Sequence, residues 1–187
     1  MNLPNIISLG RLITTPIILW LMLTGAFLGA FWLFLFAAGS DALDGAIAKR
    51  FGMVTRLGRY LDPIADKAML VGVFLVLGSL GHLPLWIVLL VVSRDALILG
   101  GALLLWMLER PMRMKPLRIS KVNTVCQIVL AATVMGPIGL GFLLEYSVTL
   151  GVIVDILLAI VAVTTLASGT SYLVSWAQHE PRGSGEQ

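Results

Sequence analysis

Residues 41–66 read DALDGAIAKRFGMVTRLGRYLDPIAD and hold four of the chain's ten acidic residues, Asp41, Asp44, Asp62 and Asp66. Asp41 and Asp44 stand i,i+3 at the end of one long apolar run, and Asp62 and Asp66 stand i,i+4 at the start of the next. At helical periodicity each pair shares one face. The short charged connection from Lys49 to Arg59 predicts that the two helices fold back as antiparallel neighbours, which brings the pairs to one depth. Four bare carboxylates there would repel one another, and ionisable groups among apolar helices mark a site by default. Oxygen-only donors suit hard divalent cations such as Mg²⁺, Mn²⁺ or Ca²⁺ rather than zinc. The plainer alternative is that the acids pair with Arg56, Arg59 and Lys67. Gly45, directly after Asp44, and Gly58, four residues before Asp62, either admit a ligand closely or serve helix packing.

The rest of the chain agrees with an apolar setting. Of 187 residues 58% are hydrophobic and 12% charged, with a mean hydropathy of +0.97. A soluble domain carries roughly 25% charged residues, so this chain has too few to cover a water-facing surface. That excludes a soluble globular enzyme and a disordered segment, and leaves an integral membrane protein. The net charge of +3 comes without a basic stripe interleaved with aromatics, so nucleic acid is not an expected partner. The single cysteine, Cys126, excludes an intramolecular disulfide and reads as a small buried packing residue. His82 and His179 lack ligand spacing, which speaks against a histidine-based zinc site.

A spanning helix needs about 20 mostly apolar residues. The apolar runs predict an all-α, polytopic membrane protein with six spans, Ile6–Leu23, Leu28–Ala48, Tyr60–Leu80, Leu83–Leu108, Lys121–Leu143 and Val148–Ala177. Thr24-Gly25, Gly81-His82 and Glu145-Tyr146 separate spans on one side, and two charged stretches separate them on the other. Lys49, Arg50, Arg56 and Arg59 fall in the second connection. Arg110, Arg113, Lys115, Arg118 and Lys121 fall in the fourth. Under the positive-inside rule both basic loops and both termini are cytoplasmic. Residues 1–180 read as one membrane domain, and 181–187 as a short disordered tail. The N-terminus lacks a basic n-region and Arg11 interrupts the first apolar run, so it does not read as a cleavable signal peptide.

The register Asp41-x2-Asp44-Gly45-x2-Ala48-Lys49-x8-Gly58-x3-Asp62-x3-Asp66 resembles the signature of the CDP-alcohol phosphatidyltransferases. Its spacing matches throughout, with one departure: Lys49 stands where the family usually has arginine, beside Arg50. A lysine keeps the charge but loses the bidentate fork. The resemblance implies a six-helix membrane enzyme, usually a homodimer, with its site at the cytoplasmic face. It implies that Asp41, Asp44 and Asp62, with Asp66 completing the set, hold two Mg²⁺ or Mn²⁺ ions on a CDP diphosphate. It gives Asp66 the role of general base toward the acceptor hydroxyl, and gives Asp44, Gly45, Ala48, Lys49 and Gly58 to CDP binding.

Further segments bear on the acceptor. Asn2 to Ser8 and Arg11 resemble the start of the glycerolipid-forming branch, and Arg11 either snorkels to the interface or faces a phosphate. Val92-Ser93-Arg94-Asp95 and the stretch Met114–Thr124 look like segments of the CMP-forming cardiolipin synthases. The implied partners are CDP-diacylglycerol and phosphatidylglycerol, or alternatively glycerol 3-phosphate as in phosphatidylglycerophosphate synthases. Arg94 and Asp95 are adjacent and point to different faces, which predicts poor partners for each other. Arg94 then is either glue between helices or an anion contact. Lys115, Arg118 and Lys121 bind either an acceptor phosphate or anionic headgroups, and Ser120 reads as a helix N-cap. Asp155 reads as a surface or dimer contact, Gly100-Gly101 and Ser168-Gly169 as points of close helix approach, and the five tryptophans as an aromatic belt. A cation transporter would need acids continuing across the membrane, whereas these cluster at one face. A purely structural membrane protein leaves their register unexplained. Without a transit peptide, the expected location is a bacterial cytoplasmic membrane.

Overall fold

In a computed structural model the six apolar runs become six helices: α1 (Leu3–Leu23), α2 (Phe27–Phe51), α3 (Gly58–Ser79), α4 (Leu85–Met107), α5 (Arg118–Gly139) and α6 (Val148–Ala177). The structure describes the backbone of residues 3–51, 58–107, 118–141 and 148–177, and side chains within 10–40, 67–101, 119–141 and 149–172. The described residues contain no strand. At 1.5 Å per residue the shortest helix, of 21 residues, is about 31 Å long. Among the described residues two segments, Ile119–Gly139 and Thr149–Tyr172, are long and apolar enough to cross a membrane, and Gly10–Leu23, Phe27–Ser40 and Lys67–Ser79 are shorter apolar stretches.

The odd-numbered helices stop in the same way. After α1, Gly25 takes φ 81° and its N–H donates to Met22 O at 3.1 Å, while Ala26 N–H donates to Leu21 O at 2.8 Å. After α3, Gly81 takes φ 77°, with its N–H on Gly78 O and His82 N–H on Leu77 O. Gly141, at φ 75°, follows α5 with its N–H on Ile138 O. A left-handed residue lets the chain satisfy the last carbonyls and leave the helix axis, and glycine takes that conformation without a Cβ penalty. The expected fifth span is therefore cut short at Gly139 rather than running to Leu143.

α1 packs on α2 and α3, α2 also on α5, α5 on α6, α6 on α4, and α4 on α3, so the helices close a ring with α3 touching α5 across it. The expected side-by-side packing of α2 and α3 does not occur among the described residues; α1 and α5 each pack on both. The interior is filled by Ile18, Met22, Phe34, Met69, Phe74, Leu77, Leu130 and Met135, all at most 1% exposed. Cys126 packs against this core as expected but is half-buried rather than buried.

The tightest helix approaches among the described glycines are at Gly139, Gly78 and Gly72. A Cβ on Gly139 would stand 2.8 Å from the Leu28 backbone, one on Gly78 2.8 Å from Val88 Cγ2, and one on Gly72 2.9 Å from Leu19 Cδ1. Of the expected positions, Gly100 faces open space, whereas Ser168 and Gly169 of α6 do meet Arg94 of α4, through a hydrogen bond and an ordinary contact. The outward faces are apolar: Trp20, Trp32, Phe36, Leu85, Trp86, Leu89 and Val163 are each more than half exposed. Exposed apolar side chains in that number suit lipid rather than water.

Candidate functional site

Towards the end of the bundle where α3 and α5 begin, four helices converge on charged and hydroxyl side chains. Lys67 of α3 donates from Nζ to Asp95 Oδ1 at 2.7 Å. Arg94 Nη1 donates to the same oxygen at 2.6 Å. The other guanidinium nitrogen, Nη2, donates to Ser120 Oγ of α5 at 2.7 Å and to Ser168 Oγ of α6. The Asp95 side chain is fully buried, that of Arg94 is 3% exposed and that of Lys67 12%. Among the described residues the cluster holds two cations and one anion, a formal excess of one positive charge. Ion pairs this deep persist where charge and hydrogen bonding compensate desolvation.

This overturns the expectation that Arg94 and Asp95 are poor partners. Helical phase turns their Cβ atoms apart, but the arginine side chain is long enough to wrap around its own helix. Both residues are buried in the bundle, so each group meets its nearest opposite charge. The N-cap reading of Ser120 also fails: α5 begins two residues earlier, at Arg118, and the Ser120 hydroxyl accepts from Arg94 instead.

Further along α5 the polar seam continues. Asn123 Oδ1 accepts from Thr165 Oγ1 at 2.9 Å and lies 2.8 Å from Thr164 Oγ1, both on α6. One turn on, Gln127 is fully buried, and neither its Oε1 nor its Nε2 has a hydrogen-bond partner among the described residues. On α1, Arg11 is 6% exposed, so it is sequestered in the bundle rather than snorkelling outward. Thr15, a turn later, donates to Arg11 O at 2.9 Å.

The sequence-derived residues divide by where they fall. Asp41, Asp44, Gly45, Ala48 and Lys49 are carried by the second half of α2, and Gly58, Asp62 and Asp66 by the start of α3; their side chains lie outside the described residues. The same holds for Arg118 at the start of α5, while Lys115 and the expected tail lie outside altogether. Lys121 is exposed on the first turn of α5, and Asp155 is exposed on α6. Of the cations offered as alternative partners for the aspartates, Lys67 is seen on Asp95, and the side chains of Arg56 and Arg59 lie outside the described residues. Sequence reasoning missed the partnership of Lys67 with Asp95 and the roles of Asn123, Gln127, Thr164, Thr165 and Ser168. The available signal was the spacing of Ser120, Asn123 and Gln127 at i, i+3 and i+7, a polar stripe on one face of an otherwise apolar helix.

An all-helical bundle with a buried ion cluster, and with paired aspartates carried on α2 and α3, defines a class of helical protein built around a polar site. Residues 1–167 match the CDP-alcohol phosphatidyltransferase family, and the chain belongs to it. It is 35% identical over 202 residues to the chloroplastic CDP-diacylglycerol–glycerol-3-phosphate 3-phosphatidyltransferase 1 of Oryza sativa subsp. japonica, which covers 97% of this chain and 59% of that protein. It is 32% identical over 186 residues to the CDP-diacylglycerol–glycerol-3-phosphate 3-phosphatidyltransferase of Aquifex aeolicus, covering 98% and 96%. It is 30% identical over 189 residues to a cardiolipin synthase (CMP-forming)/mitochondrial hydrolase fusion protein of Schizosaccharomyces pombe, covering 93% of this chain but 31% of that one. The chain thus spans about three fifths of the rice protein and a third of the yeast one.

Proposed function

We propose that the protein is a phosphatidyltransferase of phospholipid synthesis that moves the phosphatidyl group of CDP-diacylglycerol to the hydroxyl of phosphatidylglycerol, yielding cardiolipin and CMP. The observation that carries this reading is the aspartate register, which lies wholly within α2 and α3 at the end of the bundle where the buried ion cluster sits. The donor set is all-oxygen, and the cation next in sequence to Asp66, Lys67, has Asp95 as its partner, so the residues present fit a pair of hard divalent ions. Asp41, Asp44, Asp62 and Asp66 would hold two Mg²⁺ or Mn²⁺ ions, which would neutralise the diphosphate and its developing charge. Gly45, Ala48 and Gly58 leave room for the cytidine, and Lys49 meets its phosphate. Asp66 takes the proton of the acceptor hydroxyl. The acceptor oxygen bonds to the lipid-side phosphorus as the bond to the CMP oxygen breaks. Arg11, Lys115, Arg118 and Lys121 would serve the acceptor, while Arg94, bonded to Asp95, Ser120 and Ser168, takes the other of its two expected roles and ties α4 to α5 and α6. In this reading all six helices span a bacterial cytoplasmic membrane, the termini and the site face the cytoplasm, and the enzyme is a homodimer.

Phosphatidylglycerol is favoured as acceptor by the likeness of residues 92–95 and 114–124 to cardiolipin synthases. A second reading, with glycerol 3-phosphate as acceptor, is favoured by the names of the rice and Aquifex relatives, which align over nearly the whole chain. Purified protein given CDP-diacylglycerol and Mg²⁺ should release CMP when acceptor is added, with the lipid product identified by chromatography. Cardiolipin from phosphatidylglycerol supports the first reading, and phosphatidylglycerophosphate from glycerol 3-phosphate supports the second. Release with neither acceptor refutes both.

A further inference from the structure

We propose that Lys67 is a positioning residue whose ion pair with Asp95 fixes the rotation of α3 and thereby aims Asp62 and Asp66. The proposal rests on the reading that those aspartates hold the metal ions. Lys67 directly follows Asp66 in α3, and its Nζ is 2.7 Å from an Asp95 oxygen on α4. Asp95 is itself immobilised, since it is fully buried and takes a second hydrogen bond from Arg94, which is tied to Ser120 on α5 and Ser168 on α6. The anchor for α3 is therefore braced against three other helices. Behind it the neighbouring packing is apolar: Met69, Leu70, Val73 and Phe74 are fully buried in the core. Apolar contacts resist separation of helices better than they resist small turns about the helix axis.

The geometry makes a small turn consequential. A carboxylate oxygen stands about 6 Å from its helix axis, so a turn of about 20° displaces it by about 2 Å. Metal–ligand distances hold to about 0.2 Å, and a misplacement of about 1 Å at a reacting group costs about 10²-fold in rate. A charge-assisted bond one residue past Asp66 suppresses that turn at the place where it matters most.

Lys67→Met tests this without stranding a charge, because the Arg94–Asp95 pair stays balanced. The full chain in detergent is titrated with Mn²⁺, with free ion read by electron paramagnetic resonance, alongside steady-state CMP release and metal-free thermal unfolding. Lys67→Met should weaken Mn²⁺ binding by about tenfold or more, the usual cost of losing an outer-shell support. It should lower kcat by about a hundredfold with a smaller change in KM for CDP-diacylglycerol. Lys67→Arg should recover Mn²⁺ affinity to within a few-fold of the parent, and Asp95→Glu, which keeps every charge but moves the anchor, should weaken it. A merely structural role would lower the melting temperature and leave the Mn²⁺ affinity of folded protein unchanged; that result overturns the proposal, as does an arginine variant no better than methionine. If Lys67→Met fails to fold, an Asp95→Glu variant with unchanged Mn²⁺ affinity overturns it equally. Parent protein that binds no Mn²⁺ instead refutes the metal reading of the aspartates, a distinguishable outcome.

Discussion

Replacing Asp95 by asparagine removes the carboxylate that Lys67 and Arg94 share and keeps the side chain's size. The described side chains of the parent cluster sum to one positive charge; Asp95→Asn raises this to two, held on side chains 12% and 3% exposed. Leaving a buried charge uncompensated costs about 3–5 kcal/mol. Lys67→Met sheds a charge instead, leaves a neutral Arg94–Asp95 pair, and costs no more than the ~0.6–1.7 kcal/mol measured for polar contacts within membranes. For a chain of this size 1 kcal/mol moves the melting temperature by about 2–4 °C, so the two variants should fall by about 6–20 °C and about 1–7 °C. The single cysteine supplies the assay: Cys126 lies half-buried against the core, so a thiol-reactive fluorophore reports unfolding at one site. The double variant Lys67→Met/Asp95→Asn, which carries one unbalanced cation instead of two, should be more stable than Asp95→Asn alone. An Asp95→Asn protein melting within about 2 °C of the parent would refute the argument, because it would mean that the charges are solvated.

Other expectations follow from the same packing. Gly139→Ala puts a Cβ 2.8 Å from the Leu28 backbone, which cannot rotate away, whereas Gly72→Ala meets the end of the Leu19 side chain, which can. By thermal unfolding the first should cost about 1–3 kcal/mol and the second less. Gln127→Met should raise the melting temperature, since it removes two buried polar atoms without partners, while Asn123→Leu should lower it by breaking the seam to Thr165. Asp66→Asn should abolish CMP release yet retain CDP-diacylglycerol in an equilibrium binding assay; lost binding would assign Asp66 to holding substrate rather than moving a proton. Removing divalent ions with a chelator should stop CMP release, and adding Mg²⁺ or Mn²⁺ should restore it.

Helix positions were legible in the sequence because each needs only a long apolar run and a glycine or charged stretch to end it. All six starts fall within three residues of the expected ones, and Gly25 and Gly81 mark ends where they were read. Pairing was not legible. Arg94 and Asp95 look incompatible on a helical wheel, yet they bond because burial of α4 leaves the long guanidinium no better acceptor. Ser120 looks like a cap, yet its partner lies 26 residues away on another helix. Gly100 and Gly139 look alike as glycines in apolar runs, and they are separated only by which helix happens to pass them.

The sequence by itself determined the apolar class, the helical elements, the register of the four aspartates and, through that register, the family. Those features are periodicities and spacings along one chain, and helical geometry converts them directly into shared faces. Tertiary structure alone decided that α1 and α5 each pack on both α2 and α3, that Lys67 is bound to Asp95, and that Arg94 ties α4 to α5 and α6. In an apolar interior a charge pairs with whichever opposite group the packing brings within about 3 Å, and that distance is a property of the assembled ring.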